Sequence, residues 1–325
     1  MNIFKPSKVL AVLAALAMVV IGVTPAHATH LRGAVGTVTY DSVAKTVTIN
    51  STMVERKDAC APSAYSLTNT MCTYFGFPTI TQVNHTTGAT VATITKCTGQ
   101  ATTPSVQTYD STSEPLYNIF STTYVIDVSC PVFNPAFDYV FAQTGNNRIG
   151  GIKNTTNQVI QFEARVNFTL VGGQTTSVTP YYNAGYMTDI KYDETAIFET
   201  NLNGLTADGH SVVYSLVTDQ SAANGGYGAT RIPCSTLNLS TGLFRLGKAL
   251  CVGSESYSAS FSGGTATTPI FWALKTKITD TRAGATYGQY VTRDVLLAFA
   301  GSLPTPLANA TPVITASNPA VTFQS

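Results

Sequence analysis

Residues Val159–Leu170 read VIQFEARVNFTL. Ile160, Phe162, Ala164, Val166, Phe168 and Leu170 fall on one side of an extended chain, and Gln161, Glu163, Arg165, Asn167 and Thr169 fall on the other. That period of two belongs to a strand with one dry face and one wet face. A strand of this length needs a second layer over its apolar side, so the expected fold class is all-β, built as a sandwich.

The same pattern recurs on both sides of it. Gly33–Tyr40, Thr46–Val54, Thr90–Thr95 and Ser121–Cys130 read as strands upstream, with Asp41-Ser42 as a turn. Lys57–Tyr65 and Gly99–Pro115 lose the alternation and read as loops. Downstream, strands are expected at Tyr186–Tyr192, Ala196–Thr200, Ser211–Val217, Tyr257–Phe261, Ile270–Ile278 and Tyr290–Phe299, with Trp272 as a core residue. Gly172-Gly173 ends the opening strand. A domain boundary is expected there, giving an N-terminal β-sandwich at 29–173, a linker at Gln174–Thr179, a C-terminal β-sandwich at 174–302 and a tail at 303–325.

Lys5 and Lys8 precede the apolar run Val9–Val23, and Ala26-His27-Ala28 follows it. This is the layout of a signal peptide over residues 1–28, so the protein is expected to be secreted, extracellular or at the cell surface, with no transmembrane segment in the mature chain. Taking Lys5 and Lys8 from the 18 basic side chains leaves 16 against 17 acidic ones. No basic surface for nucleic acid is expected from that balance.

Cys60, Cys72, Cys97, Cys130, Cys234 and Cys251 all lie in the mature part, an even count that suggests disulfides in an exported chain. Cys234 and Cys251 stand apart in the C-terminal half, where joining them would close a loop worth about 3 kcal/mol. A metal site is the other reading, but there is no Cys-x2-Cys, and His30, His85 and His210 stand singly.

No catalytic residue is nominated. The chain has no Gly-x-Ser-x-Gly, no His-Glu-x-x-His and no phosphate-binding glycine loop, and its densest acidic group is Asp189, Asp193, Glu194 and Glu199. That group reads either as a solvated face or as the carboxylates of a secreted carbohydrate-active enzyme. Asp208-Gly209 is a candidate calcium ligand or a plain turn, since calcium takes about six to eight oxygens and only Asp208 supplies charge. Calcium is therefore the single cofactor considered. Tyr181, Tyr182 and Tyr186 cluster after the linker and are candidates for stacking on a ligand, or for ordinary packing. Asn50, Asn84, Asn154, Asn167, Asn238 and Asn309 each begin Asn-x-Ser/Thr.

Asp208-Gly209, the strand Val212-Val213-Tyr214-Ser215-Leu216 and the later Ser240-Thr241-Gly242-Leu243 resemble a cadherin-like or related immunoglobulin-like repeat of secreted and cell-surface proteins. His30-Leu31-Arg32-Gly33, Thr37–Tyr40 and Asn147-Arg148-Ile149 are similar to a companion β domain that precedes such repeats. Thr206 and His210 stand where the repeat has its other two acidic residues. The resemblance implies two tandem immunoglobulin-like β-sandwich domains in an adhesion or structural protein. Its partner would be a cell-surface protein, a glycan or another copy of the chain, and loops such as Lys57–Tyr74 and Gly99–Pro115 would be presented to that partner. The alternatives are a self-assembling envelope or filament subunit and a secreted carbohydrate-active enzyme.

Overall fold

The computed structural model describes residues 31–56, 75–96, 99–110, 117–129, 133–145, 151–155, 159–170, 173–183, 189–218, 228–265, 268–282 and 288–301. The leader, the tail, Cys60, Cys72, Cys97, Cys130, Tyr186 and the whole loop expected at Lys57–Tyr74 lie outside them.

The first half contributes β1 (Leu31–Asp41), β2 (Thr46–Arg56), β3 (Thr79–Asn84), β4 (Thr90–Ile94), β5 (Val106–Asp110), β6 (Tyr117–Asp127), β7 (Phe137–Gly145) and β8 (Ile160–Asn167). Then come β9 (Thr176–Val178), β10 (Tyr181–Tyr182), β11 (Asp189–Lys191), β12 (Phe198–Asn201), β13 (Gly204–Leu205) and β14 (Val212–Leu216). The chain closes with β15 (Ser235–Leu237), β16 (Leu243–Leu246), a one-turn helix α1 (Tyr257–Phe261), β17 (Ile270–Asp280) and β18 (Tyr290–Ala300). The all-β expectation holds, and the sheets are almost wholly antiparallel.

Alternation explains most of these elements. Val47 and Ile49 on β2, Tyr124 and Ile126 on β6, and Phe162, Ala164 and Val166 on β8 are all buried. They meet Ala34, Val38 and Tyr40 of β1 and Tyr139 and Phe141 of β7 in one core. The rings of Tyr40 and Phe168 stack at 4.0 Å across it. Gly36 is needed where β1 passes β8, since a Cβ there would stand 2.9 Å from the Phe162 ring and 2.4 Å from the Asn50 carbonyl. A second core joins Trp272, Leu274, Val295, Leu297 and Phe299 of the β17–β18 hairpin to Tyr257 and Phe261 of α1 and to Phe244 and Leu246 of β16. Trp272 is the core residue expected.

One sheet runs through both halves. Its main path is β4-β3-β7-β8-β18-β1-β2-β6-β5. β17 covers one edge of β18 from Tyr290 to Phe299. On the other edge β18 pairs first with β8, through Tyr290↔Arg165 and Val291↔Ala164, then with β1, through Asp294↔Ala34 and Val295↔Gly33. Where β8 parts from β18, Thr292 Oγ1 accepts the Glu163 N–H at 2.8 Å and Asp294 Oδ2 accepts the Gln161 N–H at 3.3 Å. These side chains replace the ladder bonds lost at the fork.

The pairing of β18 with β1 and β8 joins strands from either side of the boundary expected at 173 and 174. Three local expectations are corrected. The stretch read as the linker Gln174–Thr179 contains β9, which pairs with β1, and Thr179 Oγ1 accepts the Val38 N–H at 3.0 Å. Tyr257–Phe261 is a helical turn instead of a strand: Ser256 Oγ accepts the Ala259 N–H as an N-cap, and Tyr257 and Phe261, four apart, bury on one side. β5 also falls within the stretch read as the loop Gly99–Pro115; its polar sequence hides it, and pairing with β6 forms it.

Candidate functional site

The acidic group does not form a carboxylate pair facing open space. Glu194 accepts from the Tyr192 hydroxyl at 2.5 Å and from Lys248 at 2.9 Å, and Glu199 pairs with Arg245. Asp193 caps its own turn through the Thr195 hydroxyl and backbone N–H, which hold its carboxyl below the usual range. Asp189 belongs to β11, which adds parallel to the end of β18.

Asp208 Oδ2 lies 3.2 Å from His210 Nε2 and 3.4 Å from the Arg282 guanidinium. Arg282 also grips the buried Asp280, with Nε donating at 2.9 Å. The candidate calcium ligand thus sits beside a fixed cation. The described residues hold no group of three or more His, Cys, Asp or Glu placed to take a metal.

Tyr181 and Tyr182 form β10 against Gly204–Leu205. The Tyr182 hydroxyl points inward and donates to Thr276 Oγ1 at 2.9 Å, and Arg293 lies 5.6 Å from its ring centroid. Burial pushes its pKa up, against the Thr276 bond and the Arg293 charge. Tyr182 is therefore a packing residue, Tyr181 is half-buried and Tyr186 lies outside the described residues. Among the six cysteines, Cys234 and Cys251 are joined as a disulfide, as their isolation in the sequence suggested. Glu255 ties both ends of that loop, accepting from the backbone N–H of Cys234 at 2.7 Å and of Val252 at 3.1 Å.

The sequons differ in what they offer. Asn154 is buried, its Nδ2 donates to Thr230 O and Ala273 O, and its Oδ1 accepts the Ala273 N–H. It plugs the edge of β17, so its side chain is committed to the fold. Asn50 and Asn238 are exposed.

The wet face of β8 carries a centre that sequence reading missed. Arg165 is 3% exposed and Asp138 is fully buried. Arg165 Nη2 lies 2.5 Å from Asp138 Oδ2 and donates also to the His85 carbonyl at 2.9 Å, while His85 Nδ1 lies 3.1 Å from both Asp138 oxygens. Beside it the half-buried Tyr290 donates its hydroxyl to Glu163 at 2.6 Å; desolvation first, then the Glu163 charge, raises its pKa well above the ordinary value. Arg165 and Asp138 are buried, whereas Gln161, Glu163 and Asn167 on the same face stay half-buried. Its charges neutralise one another inside the sheet.

What remains open is the outer face of β1, β2, β6 and β5. Three rows lie in cross-strand register: Thr39, Thr48 and Val125; Thr37, Asn50, Thr123 and Val106; Val35, Thr52, Ser121 and Thr108. These rows contain no charged side chain, and the next row in the same register, Asp41, Thr46 and Asp127, carries two carboxylates. Val106 is 51% exposed and Val125 44%. Thr52 Oγ1 lies 3.1 Å from Ser121 Oγ, and the Thr123 hydroxyl donates to Asn50 Oδ1 at 2.8 Å. The face is a ruled array of hydroxyls and methyls on rigid strands.

No family model, curated protein or solved structure matches this chain.

The array could have been found from the sequence. Thr-x-Thr alternates with Val, Ile and Tyr in TVTINST, Thr46–Thr52, and in STTYV, Ser121–Val125. Along the chain the hydroxyl-bearing set resembles the outside of any strand, and only the register shows the sets aligned across four strands. No described helix is long and apolar enough to cross a membrane.

Proposed function

We propose that this chain is an exported protein of the extracellular space or cell surface, an adhesion or structural protein that acts by binding and not by catalysis. The observation that carries the reading is the block of three uncharged rows on the outer face of β1, β2, β6 and β5, bordered at one end by Asp41 and Asp127. A patch of aligned hydroxyl and methyl groups suits an uncharged partner, a glycan or a protein surface, because it offers hydrogen bonds at low desolvation cost. The leader-like residues 1–28, the Cys234–Cys251 disulfide and the likeness of the Asp208-Gly209 region to cadherin-like repeats support the same reading. The charged clusters support it too, since their groups are engaged with one another.

The test is binding of the purified mature protein to cells and to immobilised neutral glycans, beside a Thr48→Asp/Thr123→Asp variant. Both positions face solvent, so the variant should fold and bind at least tenfold more weakly. A protein with no affinity for cells, glycans or itself overturns the proposal.

A second reading, a self-assembling envelope or filament subunit, rests on the two ends of the sheet path. β4 (TVATI) and β5 (VQTYD) carry neither proline nor a basic residue, the devices that usually blunt an edge. Light scattering that rises with concentration supports this reading, and a concentration-independent monomer removes it.

A further inference from the structure

We propose that Lys275 and Asp294 become joined in the folded protein by an amide bond between Nζ and Cγ. The two residues are direct cross-strand partners in the β17–β18 ladder. Their side chains are 4% and 3% exposed, and Nζ lies 3.2 Å from Oδ2. Ala273, Leu296 and Ala34, three of the flanking residues, are each no more than 1% exposed, while Lys277 and Thr292 on the other side are half-buried. An amine and a carboxyl group are thus held in direct contact on paired strands, away from bulk water.

A buried ion pair carries a desolvation penalty on both charges, and passing one proton from the ammonium to Oδ1 removes both charges at once. The free amine then attacks Cγ, and the π pair of the carbonyl moves to Oδ2. That oxygen faces the Gln161 N–H at 3.3 Å, a backbone donor placed to stabilise it. One amine proton passes to the Oδ1 hydroxyl, water leaves, and the carbonyl re-forms. The step consumes no oxidant or other reactant. It releases one water, and once that water has left for bulk solvent the reverse hydrolysis lacks its reactant in the site. The bond would pin β17 to β18 at the fork where β1 and β8 diverge, independently of what the outer face binds.

The test is peptide mapping of the folded, full-length exported protein after reduction, alkylation and trypsin digestion. Cleavage after Lys275 should fail, and the peptide 249–277 should appear joined to the peptide that begins at Asp294, one water lighter than their sum. Linear peptides ending at Lys275 and beginning at Asp294 that account for all the material overturn the proposal. In Asp294→Asn the same linked peptide should form with ammonia as the leaving group, at the mass of the wild-type product. Lys275→Arg should abolish the link; if that variant does not fold, the wild-type and Asp294→Asn maps decide alone.

Discussion

Arg165 and Asp138 form an ion pair inside the sheet, with Arg165 Nε and Nη2 at 3.1 and 2.5 Å from the same carboxylate oxygen. Asp138 stands on β7 and Arg165 on β8, and neither reaches water. Removing one partner leaves a buried charge uncompensated. Asp138→Ala should therefore cost about 3–5 kcal/mol in urea unfolding, while Asp138→Leu with Arg165→Met should recover most of that loss. Equal stability of Asp138→Ala and wild type would show that the pair is not buried in solution.

Glu255 makes stability depend on acid. Burial pushes its carboxyl up, but the N–H groups of Cys234 and Val252 and the Arg231 guanidinium outweigh this and hold it below its ordinary value. A depressed folded value stabilises the protein above the unfolded carboxylate pKa, about 4.3, and that contribution is lost as pH falls through the folded value. Glu255→Gln should lower the melting temperature at neutral pH and flatten its decline below about pH 5. An unchanged acid limb in the variant would contradict the assignment.

The Cys234–Cys251 disulfide spans 17 residues. Replacing both cysteines with serine should cost about 3 kcal/mol, read as a shift of the denaturant midpoint. The loop ends should stay close in the variant, because Glu255 still bonds the backbone at both. Adding reductant to the variant should then cause no further loss attributable to this pair.

Gly242 closes the β15–β16 turn at φ 72°, and a Cβ there would lie 2.5 Å from the Tyr214 ring. Gly242→Ala should destabilise by about 1–3 kcal/mol, from left-handed backbone strain together with overpacking. Combining it with Tyr214→Ala should cost less than the sum of the two single changes, since the clash is then gone. Strict additivity in thermal unfolding would show that the ring does not press on the turn.

Much of this protein is local and was legible. Period-two alternation located β1, β2, β6, β8, β17 and β18 to within a few residues, because burying one face of a strand marks every second side chain. The isolation of Cys234 and Cys251 in the C-terminal half pointed to their pairing. Less was legible where the pattern is short or serves two periods. Tyr257 and Phe261 are spaced for either a strand or a helical turn, and the Ser256 cap decides. β5 and β9 are too polar to announce themselves, and acquire their form from β6 and β1.

By itself, then, the sequence determined the strand class, most strand positions and which side of each strand is apolar. Tertiary structure decided which strands lie side by side, and with that the character of the polar side. On β8 that side became a set of paired charges with Arg165 and Asp138 buried, because β7 and β18 lie beside it and bring Asp138 and Tyr290 to Arg165 and Glu163. On β1, β2, β6 and β5 it became an array with three uncharged rows. The residues look alike along the chain; pairing between separate strands, which no local period encodes, is what separates them.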